Sequence, residues 1–157
     1  MLIFWQRLNT GNRLSMIGNN DSYSVYDDTL INVYLQSKGY ETMNDNPVLD
    51  SVSALHIMGD DREIYDEVLE TYLEVTPDVF HSLEDAVHAD DRVTLKRYAH
   101  SLKSSSQTIG GMKIGASALQ LEKNAETMDK ASVLQHITLL KQLYDELIGA
   151  LKNEGFI

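Results

Sequence analysis

The chain contains no cysteine. That excludes disulfides, thiolate zinc sites and cysteine nucleophiles. No apolar run reaches the length a bilayer span needs. The opening Met1-Leu2-Ile3-Phe4-Trp5 is too short for a signal-peptide core, and no basic segment precedes it. Cations are scarce: 13 Lys and Arg stand against 24 Asp and Glu, a formal net charge of −11. Nucleic-acid binding needs clustered Lys and Arg, so nucleic acid is not an expected partner. No G-x-x-x-x-G-K nucleotide loop occurs, and no strand pattern precedes Gly110-Gly111, which therefore reads as a helix stop. These absences predict a cytoplasmic protein that engages neither membrane nor nucleic acid.

What is present is enough for a core. The chain has 157 residues, 43% of them hydrophobic, which suits one domain with an extension. Residues 1–46 are broken up by Asn9, Gly11, Asn12, Gly18, Asn19 and Asn20, and are expected to form a partly flexible leader or linker. Within it, Leu30, Val33, Tyr34 and Ser37 predict one short helix over residues 27–37, stopped by Gly39.

From Pro47 onward the period is helical. Val48, Leu49, Val52 and Leu55 predict a short helix with Pro47 in its first turn. Asp60, with Glu63 three residues on, predicts the cap of a long helix. Its apolar face is expected at Ile64, Val68, Tyr72, Val75, Val79, Leu83 and Val87, with a kink near Thr76 imposed by Pro77. Ala89-Asp90-Asp91 is a turn in which either aspartate caps the next helix, which ends at Gly110-Gly111. A third helix uses Ile114, Ala118, Leu121, Ala125 and Met128. A fourth begins near Asp129 and uses Leu134, Ile137, Leu140, Tyr144, Leu147 and Leu151. Loops this short join antiparallel neighbours. The expected fold is all-α: an antiparallel up-down-up-down four-helix bundle over residues 47–157, with a short extra N-terminal helix.

One helix carries an outward histidine. Leu95, Tyr98, Ala99, Leu102, Ser106 and Ile109 share its apolar face, and His100 lies roughly 155° from the centre of that face. It is flanked by Lys96, Lys103 and Gln107. Between Arg92 and Lys113 there are five basic residues and no acidic one, while the rest of the chain carries a formal −16. This cationic island either steers an anion or an acidic pocket toward His100, or is a chance run on a solvated face. Mirroring the chain about residue 111 sets His100 level with Glu122, Lys103 with Leu119 and Gln107 with Gly115. Glu122 then either leans toward the imidazole or is an ordinary surface residue; spacing leaves both open. A carboxylate accepting from one ring nitrogen would fix the tautomer and leave the other nitrogen nucleophilic.

An exposed imidazole without metal ligands or an oxyanion hole suits attack on phosphorus, which asks mainly for positioning and charge compensation. Lys103 lies on the face that would meet phosphate oxygens, Lys96 in the preceding turn, and Ser104 and Gln107 supply hydrogen-bonding groups.

The run His100-Ser-Leu102-Lys103-Ser104-Ser105-Ser106-Gln-Thr-Ile109-Gly110-Gly111 resembles the histidine-phosphotransfer (HPt) motif H-x-L-K-G-[SA]-[SA]-x-x-[LI]-G-[AG]. The likeness extends from about Leu49 to Lys152, through Gly59-Asp60, Pro77 and Leu121-Glu122. It implies a phosphorelay intermediary with no kinase or phosphatase activity of its own. By this resemblance His100 matches the phosphoacceptor, Lys103 the supporting cation and Glu122 the residue that bonds the histidine. Lys96, Arg97, Ser104, Gln107 and Gly111 complete the expected binding surface. The implied partners are receiver domains of a hybrid histidine kinase, a response regulator or both, met by a monomer. The chain is expected to need no cofactor itself, magnesium residing on the receiver. Ser104 departs from the motif, where glycine is usual. A helical adaptor without chemistry is the alternative from another class.

Four other histidines are weighed the same way. His81 and His88 share a face with Glu84 and Asp85 at metal-ligating spacing, but no second helix offers a matching E-x-x-H, so a solvated face is expected. His56 is expected to be structural and His136 to be a surface residue. Met58, Met112 and Met128 read as core filler.

Overall fold

The computed structural model describes residues 4–7, 14–17, 24–26 and 46–157. The chain divides into two compact units, residues 1–42 and 43–157.

In the first unit, strands β1 (Phe4–Arg7), β2 (Leu14–Ile17) and β3 (Ser24–Tyr26) pair antiparallel in the order β1-β2-β3. Phe4 lies opposite Ile17, Arg7 opposite Leu14, and Leu14 also opposite Tyr26. The all-α bundle expected of residues 47–157 stands in the second unit, and these three short strands are an unforeseen addition before it in the chain. Phe, Trp, Ile, Val and Tyr favour the pleated conformation, and the Asn- and Gly-rich intervals that break a helical period are also hairpin punctuation. The helix expected over residues 27–37 lies outside the described residues.

The second unit is helical: α1 (Ser51–Ile57), α2 (Arg62–His88), α3 (Arg92–Thr108), α4 (Met112–Asn124) and α5 (Lys130–Asn153). Contacts across the seams give the direction of each neighbour. Tyr65 and Tyr72 of α2 bond Ile109 and Ser106 of α3. His100 of α3 meets Glu122 of α4. Ser117 and Lys113 of α4 bond His136 and Glu146 of α5. Glu84 and Tyr65 of α2 meet Lys141, midway along α5, and Phe156, just past its C-terminal end. Each pair runs opposite ways, which makes the expected up-down-up-down bundle. Leu69, Leu83, Leu95, Leu102, Leu121, Ile137, Leu140 and Leu147 fill its axis, each 2% exposed or less.

Local chemistry sets the helix ends. Asp61, not Asp60, caps α2: its Oδ1 accepts from the Glu63 and Ile64 amides. Asp60 instead holds the left-handed turn before it, at φ +59°, a conformation Asp tolerates better than most residues. Asp91 caps α3 and Asp129 caps α5, accepting from Thr94 and Ser132. α3 ends as foreseen. Gly110, at φ +84°, lets its amide bond the Gln107 carbonyl and the Gly111 amide bond that of Ser106, which satisfies the final turn.

α2 is rotated from its expected orientation. The buried residues are Tyr65, Leu69, Tyr72, Thr76, Phe80, Leu83, Ala86 and Val87, whereas Ile64 and Val75 are exposed. The two stripes lie within about 100° of each other, and burying the larger aromatic side chains removes more apolar surface from water. The helix continues unbroken through Pro77, and the Thr76 hydroxyl bonds the Tyr72 carbonyl. In α1, Ser51 and Ala54 are buried while Val52 and His56 are exposed, so His56 is not the structural residue expected. It stands 3.5 Å from Asp60.

Candidate functional site

α3 buries Leu95, Ala99, Leu102 and Ser106 on one face, and its 100° step therefore turns His100 outward. The His100 side chain is 59% exposed. α4 approaches α3 closely at Gly115, where a Cβ would stand 2.8 Å from Gln107 Cγ and 3.5 Å from the Lys103 carbonyl. That close approach, two helical turns from Glu122 along α4, brings Glu122 across the seam.

Three side chains converge. His100 Nδ1 lies 2.8 Å from Glu122 Oε1. Lys103 Nζ donates to Glu122 Oε2 at 2.9 Å and stands 3.2 Å from the same Nδ1. Lys103 and Glu122 are each 18% exposed, so their charges are largely screened from water by protein. Burial opposes ionisation of Glu122, but bonds from His100 and Lys103 outweigh it and hold the carboxyl below its ordinary range. An ionised Glu122 can only accept. Nδ1 therefore carries the proton in this arrangement, Lys103 bonds the carboxylate rather than the ring, and Nε2 of the neutral ring keeps a free lone pair. The site presents a nucleophilic nitrogen outward, a carboxylate fixing the ring behind it, and an ammonium beside it.

The other expected binding residues divide. Ser104 and Gln107 are exposed on α3, Ser104 one turn beyond His100. Lys96 is drawn away to Glu126, at 3.2 Å. Arg97 stacks over the Tyr98 ring, 5.0 Å from its centroid. Gly111 is buried at the start of α4, where a Cβ would meet Leu147 Cδ2 at 3.0 Å, so it packs the bundle end.

The cationic island is therefore not a free field. Arg92 bonds Asp90 and the Ala125 and Met128 carbonyls. Lys96, Lys103 and Lys113 hold Glu126, Glu122 and Glu146. A count along the chain misses carboxylates that arrive from α4, from the turn after it and from α5. The signal was present, because the mirror that sets Glu122 opposite His100 also sets Glu126 opposite Lys96.

His136 corrects another expectation. It is half-buried, and Nε2 lies 2.9 Å from the Ser117 carbonyl and 3.1 Å from its hydroxyl. Burial lowers its affinity for a proton, with the Ser117 carbonyl partly opposing. The α4–α5 seam covers a position that a single-helix pattern assigns to solvent. His81 stands 3.9 Å from Glu84 on an exposed face.

Comparison with known proteins gives the family and the fold. Residues 67–150, more than half the chain, match the Hpt domain family model. The histidine-containing phosphotransfer protein B (HptB) of Pseudomonas aeruginosa PAO1 superposes with a TM-score of 0.62 at 22% identity, covering 69% of this chain and 94% of that one. A rice protein assigned to the histidine-containing phosphotransfer proteins superposes with a TM-score of 0.56 at 16% identity, covering 76% and 83%. No curated protein sequence matches the chain. At these identities the structures establish a shared fold, and the family match carries the assignment. The chain belongs to the Hpt domain family, the phosphorelay intermediaries of two-component signalling.

Proposed function

We propose that His100 is the phosphoacceptor of this intermediary and that Nε2 is the atom phosphorylated. The supporting observation is the 2.8 Å contact between Glu122 and Nδ1, which occupies that nitrogen and leaves Nε2 of a side chain that is 59% exposed as the one available to react. A receiver domain carrying an aspartyl phosphate, with its own magnesium, docks over α3. The Nε2 lone pair attacks phosphorus in line, an N–P bond forms, and the P–O bond to the aspartate breaks, returning a carboxylate to the receiver. The positive charge that develops on the ring is delocalised toward Nδ1–H and met by Glu122. Lys103, within reach of the same ring, compensates the phosphoryl oxygens. Transfer to a second receiver is the reverse sequence onto another aspartate. On this reading the chain has no kinase or phosphatase activity of its own, works as a monomer in the cytoplasm, and serves receivers of a hybrid histidine kinase, a response regulator or both.

Incubation with a phosphorylated receiver tests this. His100→Gln abolishes labelling of this chain, whereas full labelling of that variant contradicts the assignment. Lys103→Ala slows transfer about tenfold, the scale of one charged hydrogen bond, and an unchanged rate removes its role.

A further inference from the structure

On α2, Val68, Thr71, Val75 and Val79 recur at helical spacing along one flank of the core face. Phe80 and Glu84, on the other flank, meet Tyr144 and Lys141 of α5. The Val flank is thus turned toward α3. Val75 is 44% exposed, Thr71 is exposed, and Val68 and Val79 are half-buried. The bonds from Tyr65 to Ile109 and Tyr72 to Ser106 fix the register, which sets Val75 about level with Ser101, the neighbour of His100. The α3 wall of this groove is half-buried Tyr98 and exposed Ser101. Packed helices lie roughly 8–10 Å apart, so a partner straddling α3 covers the groove and the imidazole together.

The outer rim of the groove is acidic. Glu67, Glu70, Glu74 and Asp78 are exposed and have no ion-pair partner among the described residues, whereas Lys96, Lys103 and Lys113 already hold carboxylates. Arg97 on Tyr98 is the exception, at the boundary with His100. Charge left to meet a partner on the α2 side is negative.

We propose that the α2–α3 groove docks a receiver domain whose contact face carries an apolar stripe bordered by Lys or Arg. Val75 and Val79 take the stripe, and Glu74 and Asp78 take the basic border. This rests on the proposed function and adds which receivers the site accepts. Complementary charge speeds encounter and rejects like-charged partners, with an effect that fades as salt rises.

The test uses the full chain and a panel of isolated phosphorylated receivers, grouped by whether the border around the phosphorylated aspartate is basic or acidic. Small-molecule phosphoramidate labelling serves as a control for His100 itself. Wild type is expected to prefer the basic group at low salt and to lose that preference by 0.5 M NaCl. E74K/D78K is expected to cut kcat/KM with basic-bordered receivers at least tenfold, through KM, while phosphoramidate labelling is unchanged. Val75→Asp is expected to lower kcat/KM for every receiver. Transfer by E74K/D78K within twofold of wild type overturns the proposal. Loss of phosphoramidate labelling in E74K/D78K also overturns it, by moving the effect to His100. Self-association of wild type that Val75→Asp abolishes without slowing transfer assigns the groove to a second copy instead. Failure of wild-type His100 to label at all removes the proposed function, and this inference with it.

Discussion

Glu122 bonds His100 through one oxygen and Lys103 through the other. Removing it therefore does two things: it frees the ring to choose either tautomer, and it leaves Lys103 unpaired. Glu122→Ala is expected to slow phosphoryl transfer at least tenfold, since a hydrogen bond to a charged group contributes about 1.5–3 kcal/mol. Glu122→Gln keeps an acceptor for Nδ1 and should fall between the two. Transfer kinetics, together with the 15N shifts of the His100 ring, check this; Ala and Gln variants with identical tautomer populations and rates contradict the orienting role. His136 makes a separate prediction. Its folded-state proton affinity lies below the ordinary value of 6.5, so the unfolded chain binds the proton more readily. Its stabilising contribution is full above about pH 6.5 and is lost as pH falls below that toward the folded value. A thermal-denaturation series across pH 7.5 to 5 should show a steeper decline for wild type than for His136→Asn.

Gly110 shows how an element boundary can be over-determined. Its φ of +84° favours glycine, and a Cβ there would run into the Asp50 carbonyl oxygen. Asp50 in turn donates its amide to the Gly110 carbonyl, and Lys113 donates to that of Pro47. Gly110→Ala is expected to cost about 1–2 kcal/mol for the left-handed conformation alone, with the clash adding to it. Urea denaturation checks this, and a midpoint within error of wild type would contradict it. The glycine pair was legible as a stop because sequence encodes the left-handed turn directly. The orientation of α2 was not. Two apolar stripes share that helix, and only the packing of Tyr65, Tyr72 and Phe80 against α5 and α3 chooses between them. Asp60 and Asp61 are likewise chemically equal candidates for a cap, and backbone dihedrals separate them.

Across the whole molecule, what could be read without coordinates was whatever depends on period and mirror symmetry: four amphipathic helices, their antiparallel order, and the level placing of Glu122 opposite His100, whose bond only the family resemblance implied. What could not was whatever depends on a neighbour's charge or bulk. The lysines of the α3 region looked free until α4, the turn after it and α5 supplied Glu122, Glu126 and Glu146, and His136 looked exposed until Ser117 covered it. The β1–β2–β3 meander escaped notice because its strands are three or four residues long, too short for alternation to register. On the proposed function, the bundle is a platform that holds one imidazole nitrogen through Glu122 and offers the other to the receiver. Locating the phosphoryl group after reaction with a phosphorylated receiver tests that claim most directly, by 31P–15N NMR on the ring-labelled chain followed by a chase with a second, unphosphorylated receiver. The account predicts one phosphoryl group per chain, on Nε2 of His100, that leaves during the chase. Phosphate on Nδ1, on another residue, or retained through the chase with every receiver would contradict it.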